Sequence, residues 1–426
     1  MEKDVGIEVY LTGTQGLGGK IKVEPEDFIV EEVPLLLPRE DGGRYTVARI
    51  RARNWETNRL VKVMARTLRI SRKRIRFAGT KDKKALTTQV FQFDLVSEPV
   101  QSMRIKDVEV LEVFQSNKEI DIGDLRSNMF DIMIKEINFS DSEALKTTNA
   151  TVEELKRKGG FPNFFGMQRF GSIRPVTHII GRHMIKGEFH EAVDAYVANP
   201  FHGEGEESFE LRARLEETGD YAEALKTYPN VMSFEKAILN HLVSNPGDYI
   251  GGLQQLPFNL LMMFVHGYQS YLFNRILSER IRRGIPLGSP IEGDILVPID
   301  PHGLPDDKRL IPVDSNNVEK ATKQVKEKKA SVTGILFGSN PVFAKGEIGE
   351  IERNTVDSER LKPEDFTLPK MPRLSSKGMR KALVVPLPDL EVSSRDRIVR
   401  MRFELPRGCY ATAMLREFMK VDPLES

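Results

Sequence analysis

Hydrophobic and polar positions alternate in five short segments of the first 140 residues. The segments are KIKVEPEDFIVEEV, YTVARIRA, TTQVFQFDLV, VEVLEVFQ and NMFDIMIKEI, all rich in β-branched and aromatic residues. A period of two is typical of strands that bury one face. Between the second and third segments, TNRLVKVMARTLRIS has helical spacing instead, and Thr57 is a suitable N-cap for that helix. Leu60, Met64 and Leu68 are predicted to lie on one side of it.

The middle of the chain follows a helical pattern. From about residue 175 to 380, runs such as VHGYQSYLFNRILSERIRRG are joined by connections rich in Pro and Gly. RIVRMRFELP then alternates again, with four apolar residues on one side: Val399, Met401, Phe403 and Leu405. ATAMLREFMK returns to a helical pattern. Strands at both ends of a helical middle predict an α+β fold in which both chain ends build one domain around a mixed or antiparallel sheet, and the middle is an insertion. The predicted division is 1–174, 175–380 and 381–426.

The composition is that of a globular protein of two or three domains, with 426 residues, 40% of them apolar and 29% charged. The opening MEKDVGIEVY carries acids and no apolar run, so it predicts no secretory signal. No segment approaches the roughly 18 apolar residues of a membrane-spanning helix. The single cysteine, Cys409, excludes an internal disulfide and fits a reducing compartment. We therefore expect a cytoplasmic protein without a membrane partner.

The net charge is only +1, but the positive charge is concentrated in residues 51–84. This segment holds thirteen basic residues and two acids, Glu56 and Asp82, which gives it a local charge of +11. On the predicted helix, Lys62, Arg66 and Arg69 fall on a different face from the apolar residues. A concentrated basic face is the expected footprint of phosphate contacts with a nucleic acid. The alternative is a charged helix face that only keeps the protein in solution.

One acid lies in the most basic part of this segment. In RFAGTKDKKALTTQ, Asp82 is surrounded by Lys81, Lys83 and Lys84. A solvated turn would account for these residues, because Gly, Asp and Lys are common in turns. A functional carboxylate among cations is the alternative, and the segment alone does not decide between them.

A second unusual stretch, FPNFFGMQRFGS, combines four phenylalanines with Asn163, Gln168 and Arg169. A pocket for an unstacked base needs an aromatic face to stack on and amide or guanidinium groups for the base edges. An aromatic hinge that packs the junction of two domains would fit the same residues.

Several cofactor and metal sites are excluded by spacing. The Gly-rich TGTQGLGGKI has Thr14 where a phosphate loop needs Gly, and Ile21 where it needs Ser or Thr. No GxGxxG motif opens a helix after a strand, so a dinucleotide site is not supported. One cysteine cannot supply the paired cysteines of a zinc deaminase. His178 and His183 are five residues apart, which does not suit a helical metal pair, so we interpret them as structural or surface residues.

Six motifs, taken together, resemble the TruD family of tRNA pseudouridine synthases. In chain order they are KVEPEDFIVEE, RNWETN, FAGTKDKKALTTQ, NFFGMQRFG, HGYQSYLFN and LPRGCYATAMLREF, and they extend from about residue 13 to 418. The resemblance implies a pseudouridine synthase catalytic domain built from both chain ends, with a mainly helical inserted TRUD domain. It also implies an isomerase that converts a uridine of tRNA, uridine 13 in the D arm, to pseudouridine.

This chemistry explains why an acid would lie among lysines. Pseudouridine formation breaks the N1–C1′ bond of uridine, turns the base and rejoins it through C5, with no redox cofactor, nucleotide energy or obligatory metal. It needs an ionised carboxylate, acting as a nucleophile or as a base. An aspartate of ordinary pKa, about 3.9, is ionised at neutral pH, and neighbouring cations favour that form. The lysines also offset the repulsion between Asp82 and RNA phosphates.

The resemblance assigns the remaining site residues motif by motif. It implies that Asp82 and Lys22 are catalytic, with Lys22 paired to Asp82, and that four residues bind the target nucleotide: Phe28, Asn163, Phe165 and Tyr410. From the basic segment we expect RNA backbone contacts by Arg66, Arg69, Lys73, Lys81, Lys83 and Lys84. The expected partner is tRNA, and the expected protein is a monomer without cofactor or metal. The alternative function is a non-catalytic RNA-binding protein or RNA chaperone on the same fold.

Overall fold

The computed structural model describes residues 1–35, 37–81, 83–171, 173–300, 305–306 and 308–421. By its internal contacts the chain divides into two compact units. Residues 12–156 and 386–426 form the first, which we call the sheet unit, and residues 1–11 and 157–385 form the second, the helical unit. Within the described ranges, no helix combines the length and the apolar character that crossing a bilayer requires.

The described residues contain fourteen strands and thirteen α-helices. The strands are β1 (Phe28–Pro34), β2 (Tyr45–Arg53), β3 (Ile75–Phe77), β4 (Leu86–Phe93), β5 (Val108–Ser116), β6 (Leu125–Ile134), β7 (Phe161–Pro162), β8 (Ile295–Pro298), β9 (Ile311–Pro312), β10 (Ala330–Leu336), β11 (Met379–Ala382), β12 (Val384–Val385), β13 (Glu391–Arg395) and β14 (Ile398–Pro406). The helices are α1 (Thr57–Thr67), α2 (Ser97–Gln101), α3 (Asp141–Arg157), α4 (Thr177–Lys186), α5 (Phe189–Val197), α6 (Glu206–Thr218), α7 (Tyr221–Thr227), α8 (Ser233–Ser244), α9 (Tyr249–Leu253), α10 (Phe258–Arg282), α11 (Val318–Lys326), α12 (Gly346–Ser358) and α13 (Ala411–Met419).

An eight-stranded mixed sheet forms the sheet unit. Its strand order is β13-β14-β6-β1-β4-β2-β5, and β3 pairs with β4. β1 runs parallel to β4, and the other described pairs in this sheet are antiparallel. Strands from near both chain ends meet here, because β14 pairs along its length with β6. The predicted α+β fold with a mixed sheet built from both ends is therefore confirmed.

The predicted strand faces agree with the structure. Val399, Met401, Phe403 and Leu405 of β14 are all buried. Phe403 lies opposite Phe130 of β6, and their rings stack with centroids 5.3 Å apart. Alternate residues of a strand share a face of the sheet, so the four apolar side chains enter the same core.

The first predicted strand is only half correct. In KIKVEPEDFIVEEV the strand begins at Phe28, and residues 25–27 form a 3-10 turn. Pro25 has a fixed φ and no N–H, so it suits the first position of such a turn and cannot contribute an N–H to a ladder. The turn ends the irregular segment that carries Lys22 and delivers the chain into β1.

Helix α1 packs its apolar stripe onto the sheet. Leu60 and Met64 are buried in the same cluster as Ile50 and Phe91 from the strands beneath, as their spacing predicted. The N-cap prediction is wrong by one residue. Glu56, not Thr57, caps the helix, because its carboxylate accepts hydrogen bonds from the backbone N–H groups of residues 58 and 59 at 2.8 and 2.9 Å.

The helical unit surrounds the 25-residue helix α10. Phe264, Tyr268, Leu272 and Ile276 of α10 lie in a core shared with most of the other helices of this unit. Two small sheets complete the unit, one ordered β11-β10-β8-β9 and the other pairing β12 with β7.

The unit boundaries differ from the predicted domain boundaries. The structure divides the chain at 11/12, 156/157 and 385/386, whereas the sequence predicts divisions at 174/175 and 380/381. Residues 157–174, with the NFFGMQRFG motif, consequently have most of their contacts in the helical unit.

Candidate active site

Lys22 and Phe28 come together in one corner of the sheet unit. The ammonium of Lys22 lies over the ring of Phe28, 4.2 Å from its centroid. Lys22 also has a left-handed backbone, with φ of 57°. Residues other than Gly, Asn and Asp rarely adopt this conformation, and such strain clusters at functional sites. Two residues that the sequence predicts for one site are therefore in contact.

A buried acid holds this corner in place. The Asp27 carboxylate accepts a hydrogen bond from the Glu24 N–H at 2.8 Å and pairs with Lys135, the residue that follows β6, at 2.6 Å. Only 3% of the Asp27 side chain is exposed. The turn between Lys22 and Phe28 is therefore tied to the neighbouring β6–α3 connection by an ion pair as well as by its own hydrogen bonds.

Asp82 lies outside the described residues, but the chain on either side of it is described. Lys83 and Lys84 are exposed. Lys81 is buried, and its ammonium pairs with Glu32 of β1 at 2.7 Å. The exposed fractions of these two side chains are 6% for Lys81 and 0% for Glu32.

The position of Lys81 argues against one predicted role. A cation that contacts the RNA backbone must reach the surface, and the Lys81 ammonium is enclosed and already neutralised by Glu32. The prediction that Lys81 contacts the RNA backbone is therefore not supported. Lys83 and Lys84 are exposed and stay predicted backbone contacts. The sequence pattern failed here because Glu32 is 49 residues distant from Lys81 along the chain.

Asn163 and Phe165 belong to the helical unit. The Asn163 side chain is buried and donates from Nδ2 to the Ala382 carbonyl at 2.8 Å. Phe165 is 7% exposed, and its ring meets Phe273 edge to face with centroids 5.5 Å apart. The predicted aromatic surface is therefore largely covered by its own unit in this structure.

Two cations lie over the ring of Phe165. The Lys381 ammonium is 4.8 Å from the ring centroid and the Arg169 guanidinium 5.3 Å. Such cation–π contacts stabilise both partners. They also place positive charge beside one of the aromatic rings that the family resemblance assigns to the target nucleotide.

Asn274 of α10 fixes the backbone of Phe165. Its Oδ1 accepts from the Phe165 N–H at 2.9 Å, and its Nδ2 donates to the Phe165 carbonyl at 3.0 Å. This asparagine ends the HGYQSYLFN motif, whose role the sequence alone does not reveal. The two motifs, about 100 residues apart in sequence, thus meet through one fully buried amide.

Tyr410 is half-buried and occupies the N-cap position of α13 in the sheet unit. Its carbonyl accepts from the N–H of Ala413 at 3.1 Å. Gly408, two residues earlier, has a φ of 78°, which places this turn in the left-handed region. The structure thus brings Lys22 and Phe28 into contact in the sheet unit. Asn163 and Phe165 both lie in the helical unit. Tyr410 lies in the sheet unit, on a different element from Lys22 and Phe28.

The basic segment 51–84 separates into two groups. Five cations form ion pairs: Arg51 with Glu109, Arg53 with Glu26, Arg74 with Asp94, Arg76 with Glu119 and Asp121, and Lys81 with Glu32. Eight others are exposed and have no ion-pair partner among the described residues: Arg59, Lys62, Arg66, Arg69, Arg72, Lys73, Lys83 and Lys84. Six of these eight lie on α1 or on the turn that follows it, so this part of the surface retains an uncompensated positive charge.

Buried histidine contributes to the helical unit rather than to a metal site. His178 is 7% exposed and stacks on Tyr271 with centroids 5.1 Å apart. Burial lowers the pKa of His178 from 6.5 to about 4, so it is neutral at neutral pH. In the described part of the chain, no group of three or more His, Cys, Asp or Glu residues could hold a metal ion.

Comparisons with known proteins identify the family. The family model of tRNA pseudouridine synthase D (TruD) matches residues 4–418. A probable tRNA pseudouridine synthase D from Methanosarcina barkeri is 41% identical, covering 100% of this chain and 98% of that protein. A protein of the same description from Thermococcus onnurineus is 38% identical, covering 96% of this chain and 97% of the relative.

A solved structure shows the same fold. The crystal structure of the putative tRNA pseudouridine synthase D (TruD) from Methanosarcina mazei matches with a TM-score of 0.86 at 41% identity, covering 100% of this chain and 98% of the other. Fold and motifs together define an enzyme of the isomerase class, a pseudouridine synthase. Within that class, the chain belongs to the TruD family of tRNA pseudouridine synthases.

Proposed function

We propose that this chain isomerises uridine 13 in the D arm of tRNA to pseudouridine, and that the Asp82 carboxylate carries the reaction. The observation that carries the proposal is the family match over residues 4–418, which includes an intact FAGTKDKKALTTQ segment. The location that we propose is the cytoplasm, in accord with a single cysteine.

The reaction balances without a co-reactant. The N1–C1′ bond breaks, a C5–C1′ bond forms, C5 loses a proton and N1 gains one. Asp82 acts either as the nucleophile at the reacting nucleotide or as the base that removes a sugar proton. Lys22 is the cation that we propose to pair with Asp82, and its strained backbone over Phe28 supports a functional role for that position.

Binding of the tRNA backbone is proposed for the exposed cations of segment 51–84 that have no ion-pair partner in the described part of the chain. Arg66 lies on α1, and Arg69 and Lys73 lie on the turn that follows it. Lys83 and Lys84 directly follow Asp82 in the sequence. Phosphate contacts dominate the affinity of proteins for nucleic acids and carry no sequence information. These residues would therefore supply affinity, and the choice of uridine must come from groups that contact the base.

Recognition of the base is proposed for Phe28, Asn163, Phe165 and Tyr410. A uridine inside folded tRNA must leave its stack before its C1′–N1 bond can be reached, at a cost of a few kcal/mol. Stacking on an aromatic ring contributes about 1–3 kcal/mol and can offset that cost. The cations over Phe165 favour a ligand with negative charge nearby. Asn163 would orient the base by hydrogen-bonding the uracil edge.

A position-resolved map of the product tests the proposal. Unmodified tRNA is incubated with the protein and pseudouridine is mapped at single-nucleotide resolution. We expect one new pseudouridine at position 13 and none in a control tRNA with cytidine at that position. Pseudouridine elsewhere, or its formation in the control tRNA, would contradict the proposed target.

A further inference from the structure

We propose that Lys81, Glu32 and Thr57 form an anchor that positions the Asp82 carboxylate for reaction. This inference rests on the proposed function, because it matters only if Asp82 performs the chemistry. It gives Lys81 a positioning role in place of the phosphate contact that its charge suggests.

The first part of the anchor is the buried ion pair between Lys81 and Glu32. The distance between Lys81 Nζ and Glu32 Oε2 is 2.7 Å, and both side chains are almost fully enclosed. Glu32 Oε1 also receives the N–H of Val90 in β4 at 3.4 Å. Taking two charges out of water is costly, and apolar residues of similar volume are often at least as stabilising at such positions. Stability therefore does not by itself account for an ion pair here, directly beside the proposed catalytic acid.

The second part is a set of hydrogen bonds to the backbone before Asp82. The N–H of Lys81 donates to Thr57 Oγ1 at 2.7 Å. That hydroxyl in turn donates to Gln89 Oε1 at 3.3 Å, and Gln89 Nε2 donates to the Gly79 carbonyl. Thr57 and Gln89 are 2% and 3% exposed. Because Glu56 caps helix α1, the hydroxyl of Thr57 is available to accept from Lys81.

The chain beyond Asp82 is also held. The N–H of Asn54 donates to the Ala85 carbonyl at 3.1 Å, and Ala85 is fully buried. The described chain is therefore tied down by hydrogen bonds at Lys81 and again at Ala85, four residues further on. Reacting groups must be held close to the productive geometry, and a displacement of about 1 Å can lower the rate about a hundredfold.

A double variant separates positioning from stability. Lys81→Met alone leaves Glu32 buried without its partner, so it should lower the melting temperature. Adding Glu32→Leu removes the unpaired charge and should restore that temperature. If the pair positions Asp82, the single-turnover rate constant of the double variant stays about 10- to 100-fold below that of wild type, while the Kd for tRNA changes less than twofold. A double variant with both the melting temperature and the single-turnover rate constant of wild type would overturn the proposal.

A matched pair at Thr57 tests the backbone contact and decides the matter if the double variant does not fold. Thr57→Val keeps the shape and loses the acceptor, whereas Thr57→Ser keeps the hydroxyl. We expect kcat to fall about tenfold in Thr57→Val and less than twofold in Thr57→Ser, with tRNA affinity unchanged. Equal kcat losses in both variants, or wild-type kcat in Thr57→Val, would show that Thr57 only packs.

Asp82→Asn, measured alongside, distinguishes the two levels of the argument. If Asp82→Asn is inactive and the anchor variants are fully active, the positioning role is wrong and the proposed function stands. If Asp82→Asn remains active, the proposed chemistry itself fails, and the anchor has no catalytic group to position.

Discussion

The proposed site residues of the two units are held in different ways. In the sheet unit they depend on charge: Lys81 pairs with Glu32, and the turn between Lys22 and Phe28 is tied down by Asp27 and Lys135. In the helical unit they depend on amides and rings, since Phe165 is fixed by Asn274 and packs against Phe273. We propose that the sheet unit supplies the reacting charges and that the helical unit supplies an aromatic ring for the base, with the cations Arg169 and Lys381 over that ring.

The largest effect on product formation is expected when the charge of Asp82, in the sheet unit, is removed. Asp82→Asn keeps the shape of the side chain and removes its charge, so we expect no detectable pseudouridine. Affinity for tRNA should stay within a few-fold of wild type, because it comes mainly from phosphate contacts. Rates and Kd are measured on the same preparation. Turnover within tenfold of wild type would remove Asp82 from the catalytic role.

The next effect concerns the aromatic surface of the helical unit. Phe165→Ala should slow turnover on structured tRNA about 10- to 100-fold, since each ~1.4 kcal/mol of lost stacking is a factor of ten. Phe165→Tyr retains the ring face and should have a mild effect.

The burial of Phe165 makes a parallel stability measurement necessary. Only 7% of the residue is exposed, so truncation to Ala also removes packing against Phe273. A melting temperature many degrees lower, with wild-type turnover in the fraction that is still folded, would show that Phe165 serves packing and not the base.

A smaller effect, on tRNA affinity, is expected from the exposed cations that lack an ion-pair partner within the described ranges. Replacing Arg66, Arg69 and Lys73 with Gln should flatten the slope of log affinity against log salt by about 0.7 to 0.9 per lost phosphate contact. The paired arginines of the strands provide the matched control. Arg53→Gln and Arg76→Gln remove cations that already have acid partners, so their slopes should stay close to wild type. Equal changes in both sets would mean that pairing does not distinguish them.

The expected effect most remote from the proposed chemistry is on the acid stability of the helical unit. Between pH 6.5 and about 4, unfolded His178 binds a proton and folded His178 does not. The free energy of unfolding contributed by this group is therefore fully present above pH 6.5 and is lost as the pH falls towards 4, by up to about 3 kcal/mol. Denaturant titrations of His178→Gln across this range should show a shallower pH dependence than wild type. The exposed His190→Gln is the control, and identical profiles for all three proteins would contradict the assignment.

The sequence predicted those features that depend on local periodicity. Leu60 and Met64 of α1 and the alternate residues of β14 are buried as their spacing indicates. Local pattern also placed a helical middle between two strand-rich ends.

The features that the sequence missed depend on partners distant along the chain. The local sequence does not distinguish Lys81 from Lys83. In the fold, Glu32 pairs with Lys81, whereas Lys83 is exposed. Asn274 is likewise 109 residues from Phe165, so no local pattern could link the two. The sequence contained one indication of this contact: HGYQSYLFN, which ends at Asn274, is a conspicuous motif whose role the sequence alone does not reveal.

The most direct test of the central claim is a count of product. Purified protein is incubated with unmodified tRNA, the tRNA is digested to nucleosides, and pseudouridine and uridine are quantified by chromatography. If the protein is an isomerase that acts at one site, each tRNA gains one pseudouridine and loses one uridine. Each protein molecule then converts many tRNA molecules. Tight binding of tRNA without any pseudouridine would contradict the account and would favour a non-catalytic RNA-binding protein on the same fold.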